Sequence, residues 1–223
     1  MRETSSYPNR ALVLVAHADD ESLGAGGLIR KLKKANWEIP VVIVSDGIIR
    51  VRGKIQDNRN DARRACGILG VEDPIFLGYE DQKFDQYPIA EIANSVASLD
   101  CQPDLIITHA QTDLNRDHRL VLEIAKIMGR PLNKPISILG CEIPNASFWN
   151  GKPFPANYYV DITEELKTKI QAFSQYKNEL NSYPHPWSEK GLTLLAEYHG
   201  MQSGYQYAEA YRLIRGYATT LLR

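Results

Sequence analysis

Apolar positions along the chain follow two alternating rhythms. Continuous runs of strand length, "ALVLV" (11–15), "VVIV" (41–44), "PIFLG" (74–78) and "DLIITH" (104–109), are each followed by apolar residues at helical spacing. The followers are Leu28, Ile29 and Leu32; Ala62, Ala65, Cys66 and Leu69; Ile89, Ile92, Ala93, Val96 and Leu99; and Leu120, Val121, Ile124 and Ala125. An unbroken apolar run fits a strand buried on both faces, and a spacing of three to four fits a helix with one apolar stripe. Their alternation predicts βαβ units, which right-handed crossovers assemble into a mostly parallel sheet with helices on both faces. The expected fold class is α/β and Rossmann-like.

The rhythm changes after "ISILGCEI" (136–143), which predicts one more strand. "PNASFWNGKPFPAN" (144–157) carries three prolines and a glycine among its aromatics and reads as a surface loop. "NYYVDI" (157–162) predicts a strand, and Asp161 or Thr163 can cap a helix whose stripe is Leu166, Ile170, Phe173 and Leu180. "YPHPWS" (183–188) breaks that helix, and another is expected from about Ser188 to Tyr198. One domain over residues 1–223 is expected, with an α/β core at about 8–143 and a C-terminal extension at about 144–223 that lengthens the core or lids it.

Composition narrows the partners. The 223 residues carry 26 basic and 27 acidic side chains, a formal charge of −1, so no long-range field draws the chain to nucleic acid or an anionic membrane. No apolar run is long enough to span a bilayer, so no stable membrane insertion is expected. Cys66, Cys101 and Cys141 are odd in number and widely spaced, as reduced core thiols are, and the cytoplasm is the expected compartment. A small molecule is left as the default partner.

Chemistry collects where the first strand ends. His17, Asp19, Asp20 and Glu21 stand at the carboxyl end of "ALVLV", where ligands sit in open α/β sheets. Imidazole and carboxylate suit a catalytic zinc, which commonly takes three protein ligands and keeps a position for water. His17 and Asp20 supply two. The third should come from a second strand end, where "HAQTDLNRDHRL" offers His109, Asp113, Asp117 and His118, with His118 the preferred ligand. Asp19 is then free to take the proton of a water whose pKa the metal lowers, which is the machinery of amide or ester hydrolysis. "GAGG" (24–27) lacks the spacing of a dinucleotide loop, and its neighbouring carboxylates would repel a pyrophosphate.

These residues resemble the PIG-L or LmbE-like zinc N-deacetylases, whose signature (A/P)-H-P-D-D-E stands here as "AHADDE", with Ala18 in place of proline. "SDG" (45–47), "RNDARRACGILGV" (59–71), "FLGYEDQKFD" (76–85), "YYVDITEELKTKIQAFSQY" and "YQYAEAYRL" resemble later family elements in order, so the likeness covers nearly the whole chain. The resemblance implies zinc (Zn²⁺) on His17, Asp20 and His118, with Asp19 as general base. It also implies a substrate, an N-acetylated amino sugar of the N-acetylglucosamine type, that loses its acetyl group as acetate. Two histidines and one aspartate would accept Fe²⁺, Co²⁺ or Mn²⁺ as well. The family's H-x-D-H reads "NRDH" here, which puts Asn115 where relatives place a catalytic histidine near the oxyanion. Asparagine donates a hydrogen bond but no proton, so the leaving-group proton falls to Asp19 or to another residue such as His185 or His199.

Asp81, with Tyr79 and Gln82, is expected to contact sugar hydroxyls, and Glu142 stands near another strand end. Trp149, beside Phe148, could lie over a sugar face. Among Arg50, Arg52 and Arg59, Arg59 is the preferred holder of an anionic aglycone. Two other functions stay open: a zinc amidase for a non-sugar amide or thiol conjugate, and a metal- and sugar-binding homologue without catalysis. The family likeness also allows for a homo-oligomer.

Overall fold

The computed structural model describes residues 9–51 and 53–218. In chain order the elements are β1 (Ala11–Val15), α1 (Asp20–Lys34), β2 (Val41–Ser45), β3 (Ile48–Val51), β4 (Lys54–Asp57), α2 (Arg59–Leu69), β5 (Ile75–Tyr79), α3 (Ile89–Ala97), β6 (Leu105–His109), α4 (Arg116–Met128), β7 (Ser137–Cys141), β8 (Tyr158–Asp161), α5 (Leu166–Phe173), α6 (Glu189–Ser203) and β9 (Ala208–Arg215). Seven strands form one sheet in the order β5-β2-β1-β6-β7-β9-β8, and β3 and β4 form a separate antiparallel hairpin. The five strands from β5 to β7 are parallel. The Rossmann-like mostly parallel sheet expected from the periodicity is present.

The unbroken apolar runs follow from burial on both faces. In β1, Ala11, Val13 and Val15 enter one core cluster, while Leu12 and Leu14 enter the other. The first cluster takes the buried stripes of α1, α2 and α5, and the second those of α3 and α4. Each aliphatic side chain removed from water in this way contributes about 1.5–3 kcal/mol.

In the C-terminal third, β9 pairs antiparallel with β7, and β8 with β9, so two of its strands lengthen the same sheet. The helix expected to carry Leu180 on its stripe ends at Phe173, and α6 runs five residues past Tyr198 to Ser203. The β3–β4 hairpin has no apolar alternation strong enough to announce it, since Ile55 is exposed and Lys54, Gln56 and Asp57 are polar.

"GAGG" has a packing role. A side-chain carbon added at Gly24 would collide with the Cys141 thiol and, at 2.8 Å, with Ile143; one at Gly27 would meet Ile162 at 2.6 Å. α1 therefore lies on the sheet at a distance only glycine permits. The buried carboxylate of Glu209 on β9 holds it there, accepting from the amides of Gly27 (2.8 Å) and Leu28 (2.7 Å), from Lys169 Nζ (2.6 Å) and from the Tyr211 hydroxyl (2.7 Å). Gly24→Val is expected to destabilise the protein by about 1–3 kcal/mol through overpacking, read as a lower Tm on thermal unfolding. An unchanged Tm would mean that α1 is not seated this closely.

Candidate metal centre and active site

Strand order decides where the chemistry gathers. From β1 the sheet grows through β2 and β5 in one direction and through β6 and β7 in the other, so the order reverses between β1 and β6. A crevice opens at the carboxyl ends of strands at such a reversal. Leu12 pairs with Ile106 and Val13 with Ile107, which sets residues 17–20 beside residues 113–118. Asp20 opens α1, and Asp117 and His118 lie in the first turn of α4, where the positive helix end favours carboxylates.

Three ligand atoms converge there. His17 Nδ1 lies 3.2 Å from His118 Nε2, and Asp20 Oδ2 lies 3.6 Å from the first and 3.4 Å from the second. All three residues are buried. Two imidazole nitrogens that face each other this closely must share something positive. Their outer nitrogens show what: His118 Nδ1 is 2.8 Å from Asp113 Oδ2, and His17 Nε2 is 3.1 Å from Asp81 Oδ1 and 3.2 Å from Asp117 Oδ2. A carboxylate accepts and cannot donate, so each outer nitrogen carries a hydrogen, and in the neutral ring that a metal would bind each inner nitrogen presents its lone pair. Two lone pairs and an anionic oxygen then point at one spot. Bonds of about 2.0–2.1 Å in a tetrahedral site separate neighbouring ligands by about 3.3–3.4 Å, and the spacings found, 3.2, 3.4 and 3.6 Å, bracket that value. The cluster fits a metal ion.

The electrostatics agree. Burial alone would lower the proton affinity of His17, but its bonds to Asp117, Asp20 and Asp81 leave it raised well above the ordinary histidine value. Burial works to raise the Asp20 pKa, yet His118, His109 and His17 hold it below the usual carboxylate range. Both shifts mark a place that favours positive charge. His109 is placed differently from the ligands. Its Nε2 accepts the Ala16 amide at 2.9 Å, and its ring stacks on His118 with centroids 3.9 Å apart.

Asp19 stands between β1 and α1 with φ at 133°, in a region that side-chain-bearing residues rarely enter, and such strain gathers at functional sites. Its amide donates to Glu21 Oε2 at 3.1 Å, while its carboxylate has no hydrogen bond among the described residues. Burial, then the charges of Asp20, Glu179 and Glu21, push its pKa well above the ordinary aspartate value. Glu21 is held by Ser22 and by the Tyr176 hydroxyl, and so stiffens the turn from beneath.

The cleft over this cluster has a volume of about 450 Å³ and is lined by His17, Asp19, Asp20, Asp81, Asn115 and His118, with Trp149, Trp187 and Glu179 on the far wall. Asn115 uses its side-chain oxygen as the N-cap of α4, accepting the Asp117 amide at 2.9 Å. Asp81 lines the cleft, but its oxygens already face His17, Gln82 Nε2 and the Arg50 amide. The Tyr79 hydroxyl is bonded to Ser95. Two expected substrate contacts lie elsewhere. Arg59 is half-exposed, paired with Asp57 and absent from the lining. Glu142 is buried between Ser147 Oγ (2.8 Å) and His199 Nε2 (2.7 Å), on the wall of a separate apolar chamber of about 1090 Å³ that also holds Phe148, His185 and His199. Trp149 borders both spaces. Arg52 lies outside the described residues.

Residues 12–128 match the family described as PIG-L: GlcNAc-PI de-N-acetylase. The chain belongs to this family. A diacetylchitobiose deacetylase of Thermococcus kodakarensis is 24% identical over 93% of this chain and 84% of its own length. An Escherichia coli K12 protein described as an uncharacterized deacetylase is 29% identical over 75% of this chain and 90% of its own. Among solved structures, the N,N'-diacetylchitobiose deacetylase of Pyrococcus horikoshii superposes with a TM-score of 0.75 at 21% identity, covering 96% of this chain and 86% of that one. A 4-carboxy-2-hydroxymuconate hydratase of Pseudomonas putida KT2440 reaches the same TM-score and identity over 94% of this chain and 97% of its own. The fold by itself, then, does not select the reaction, and function has to be argued from the site.

Sequence reasoning passed over Asp113 and Asp117 as partners of the ligands, although both stand in the segment that supplied His118. It had no signal for Glu179 or Trp187, which reach the cleft from loops far along the chain. His118→Ala is expected to abolish metal binding, and Asp113→Ala to weaken it about 10–100-fold with the far-ultraviolet circular dichroism unchanged. Chelator competition on the purified variants measures this; equal affinity in all three proteins would place the metal elsewhere.

Proposed function

We propose that the protein is a zinc-dependent hydrolase that removes the acetyl group from an N-acetylated amino sugar and releases acetate. One observation carries the reading: two carboxylate-backed imidazoles and Asp20 converge beside Asp19, a strained carboxylate with no hydrogen bond among the described residues. The family description and the diacetylchitobiose deacetylases among the relatives support the substrate class.

Zinc held by His17, Asp20 and His118 would supply a Lewis acid for the acetyl carbonyl and promote loss of a proton from water. Asp19 accepts that proton, and its raised proton affinity suits a base that must later give the proton back. Asn115, with its oxygen committed to the helix cap, has an amide N–H to offer the developing oxyanion but no proton for the leaving amine. Asp19 therefore returns the proton to nitrogen. His185 and His199 line the neighbouring chamber, which supports this assignment over a histidine acid.

No helix among the described residues is long and apolar enough to cross a membrane. Three cysteines without a disulfide, two of them buried, support a reducing compartment, the cytoplasm. The competing reading, a binding homologue without catalysis, draws on Asn115 in the place of the family histidine. Asp19→Asn is expected to keep its metal and lose at least about a hundredfold in acetate release from N-acetylglucosamine derivatives, the scale of general-base catalysis. Wild-type turnover in that variant would remove Asp19 from the mechanism, and metal without acetate from any sugar in the wild type would favour the binding homologue.

A further inference from the structure

The substrate cleft is short of positive charge. Among the described residues its lining includes the carboxylates of Asp19, Asp20, Asp81 and Glu179, and neither lysine nor arginine. A divalent ion would still leave the carboxylates in excess. The basic side chains nearby, among the described residues, are engaged. Arg50 holds Asp46 at 2.8 Å, Arg59 pairs with Asp57, Lys83 with Glu80 and Arg116 with Asp85, and Arg119 donates to the carbonyls of Asp113 and Leu114. A phosphate or nucleotide attached to the sugar would meet repulsion here and find, among the described residues lining the cleft, no fork of guanidinium hydrogens to hold it.

Glu179 is the carboxylate of this set that serves neither as a ligand, nor as a ligand's partner, nor as the proposed base. It follows α5 and reaches back over the cleft, where Gln56 Nε2 (3.2 Å) and Asn58 Nδ2 (3.4 Å) both donate to its Oε1. Its Oε2 has no hydrogen bond among the described residues. The two amides stand at the end of β4 and the start of α2, so the side chain is aimed by the hairpin side of the cleft. It lines the same cleft as Asp19 and the ligands His17, Asp20 and His118. Asp81, the residue first expected to hold sugar hydroxyls, has both oxygens engaged by His17, Gln82 and the Arg50 amide. Glu179 has an oxygen to give.

We propose that Glu179 is the specificity residue of this cleft: its Oε2 accepts from a hydroxyl or ammonium of the substrate. Its charge confines the enzyme to uncharged or cationic amino sugars and turns away sugar phosphates and nucleotide sugars. The proposal rests on the deacetylase reading for its substrates, and it departs from the anionic aglycone that the arginines after β2 first suggested.

The test compares acetate release from N-acetylglucosamine and N-acetylglucosamine 6-phosphate by the metal-loaded wild type and Glu179→Gln. The wild type is expected to favour the uncharged sugar by at least about tenfold in kcat/KM, and the variant to narrow that ratio by about tenfold, the scale of a single charge–charge contact near a protein surface. The narrowing should come from a lower KM for the phosphate, with kcat/KM for the uncharged sugar falling. A merely structural role for Glu179 would lower both substrates together and leave the ratio alone, which overturns the proposal, as does a wild type indifferent to the phosphate. Calorimetric binding of glucosamine and glucosamine 6-phosphate to Asp19→Asn, with and without Glu179→Gln, needs no turnover. If no sugar yields acetate but the binding preference for glucosamine and its dependence on Glu179 hold, charge selection stands while the deacetylase reading fails. If acetate is released with no preference in rate or binding, the reverse is true.

Discussion

The rest of the site depends on the pairing of buried imidazoles with carboxylates on their outer edges. Asp113 behind His118, and Asp117 with Asp81 behind His17, turn two neutral rings so that their lone pairs face the Asp20 oxygen. Burying this many ionisable groups is costly unless each finds a partner, and a cation at the centre completes the set. Asp117 does a second job by accepting the amides of Gln82 at 2.8 Å and Phe84 at 3.4 Å, which ties the loop after β5 to the ring of His17. The ligand geometry and the shape of the cleft wall therefore share one carboxylate.

That arrangement needs α1 and the sheet in close register. Gly24 and Gly27 let the helix settle onto the sheet at Cys141 and Ile162, and the four donors gathered by Glu209 lock it to β9 and α5. The C-terminal third thus fixes the helix whose first residue, Asp20, belongs to the candidate metal cluster. Its strands belong to the central sheet, and its loops supply Trp187 and Glu179 to the cleft.

A division of labour follows. The stretch matched to the family, residues 12–128, holds every side chain of the metal cluster and its carboxylate partners. The far wall, with Asn145, Trp149, Glu179 and Trp187, comes from beyond it. The candidate metal cluster and the far wall of the cleft thus come from different parts of one fold. This is consistent with a deacetylase and a hydratase superposing on this chain equally well.

Much of this was legible in the order of residues. Continuous apolar runs announced strands buried on both faces, because a two-sided sheet leaves no polar side to alternate with. "AHADDE" and "NRDH" announced ligands, because a strand end is where chemistry can be placed without disturbing the core. Local spacing could not announce the antiparallel β9 inserted between β7 and β8, since strand pairing is settled by contacts distant in sequence. Nor could it show that Arg59 turns to Asp57, that Glu142 faces His199, or that Glu179 reaches the cleft from 160 residues beyond Asp19. By itself, then, the sequence determined the strands and helices of the parallel core and marked the His and Asp side chains that converge at the candidate metal centre, all of which depend on local periodicity and side-chain chemistry. Tertiary structure alone decided which carboxylates back the histidines, which polar groups are already engaged and what charge the substrate meets, because each of these is a matter of distance between groups far apart along the chain.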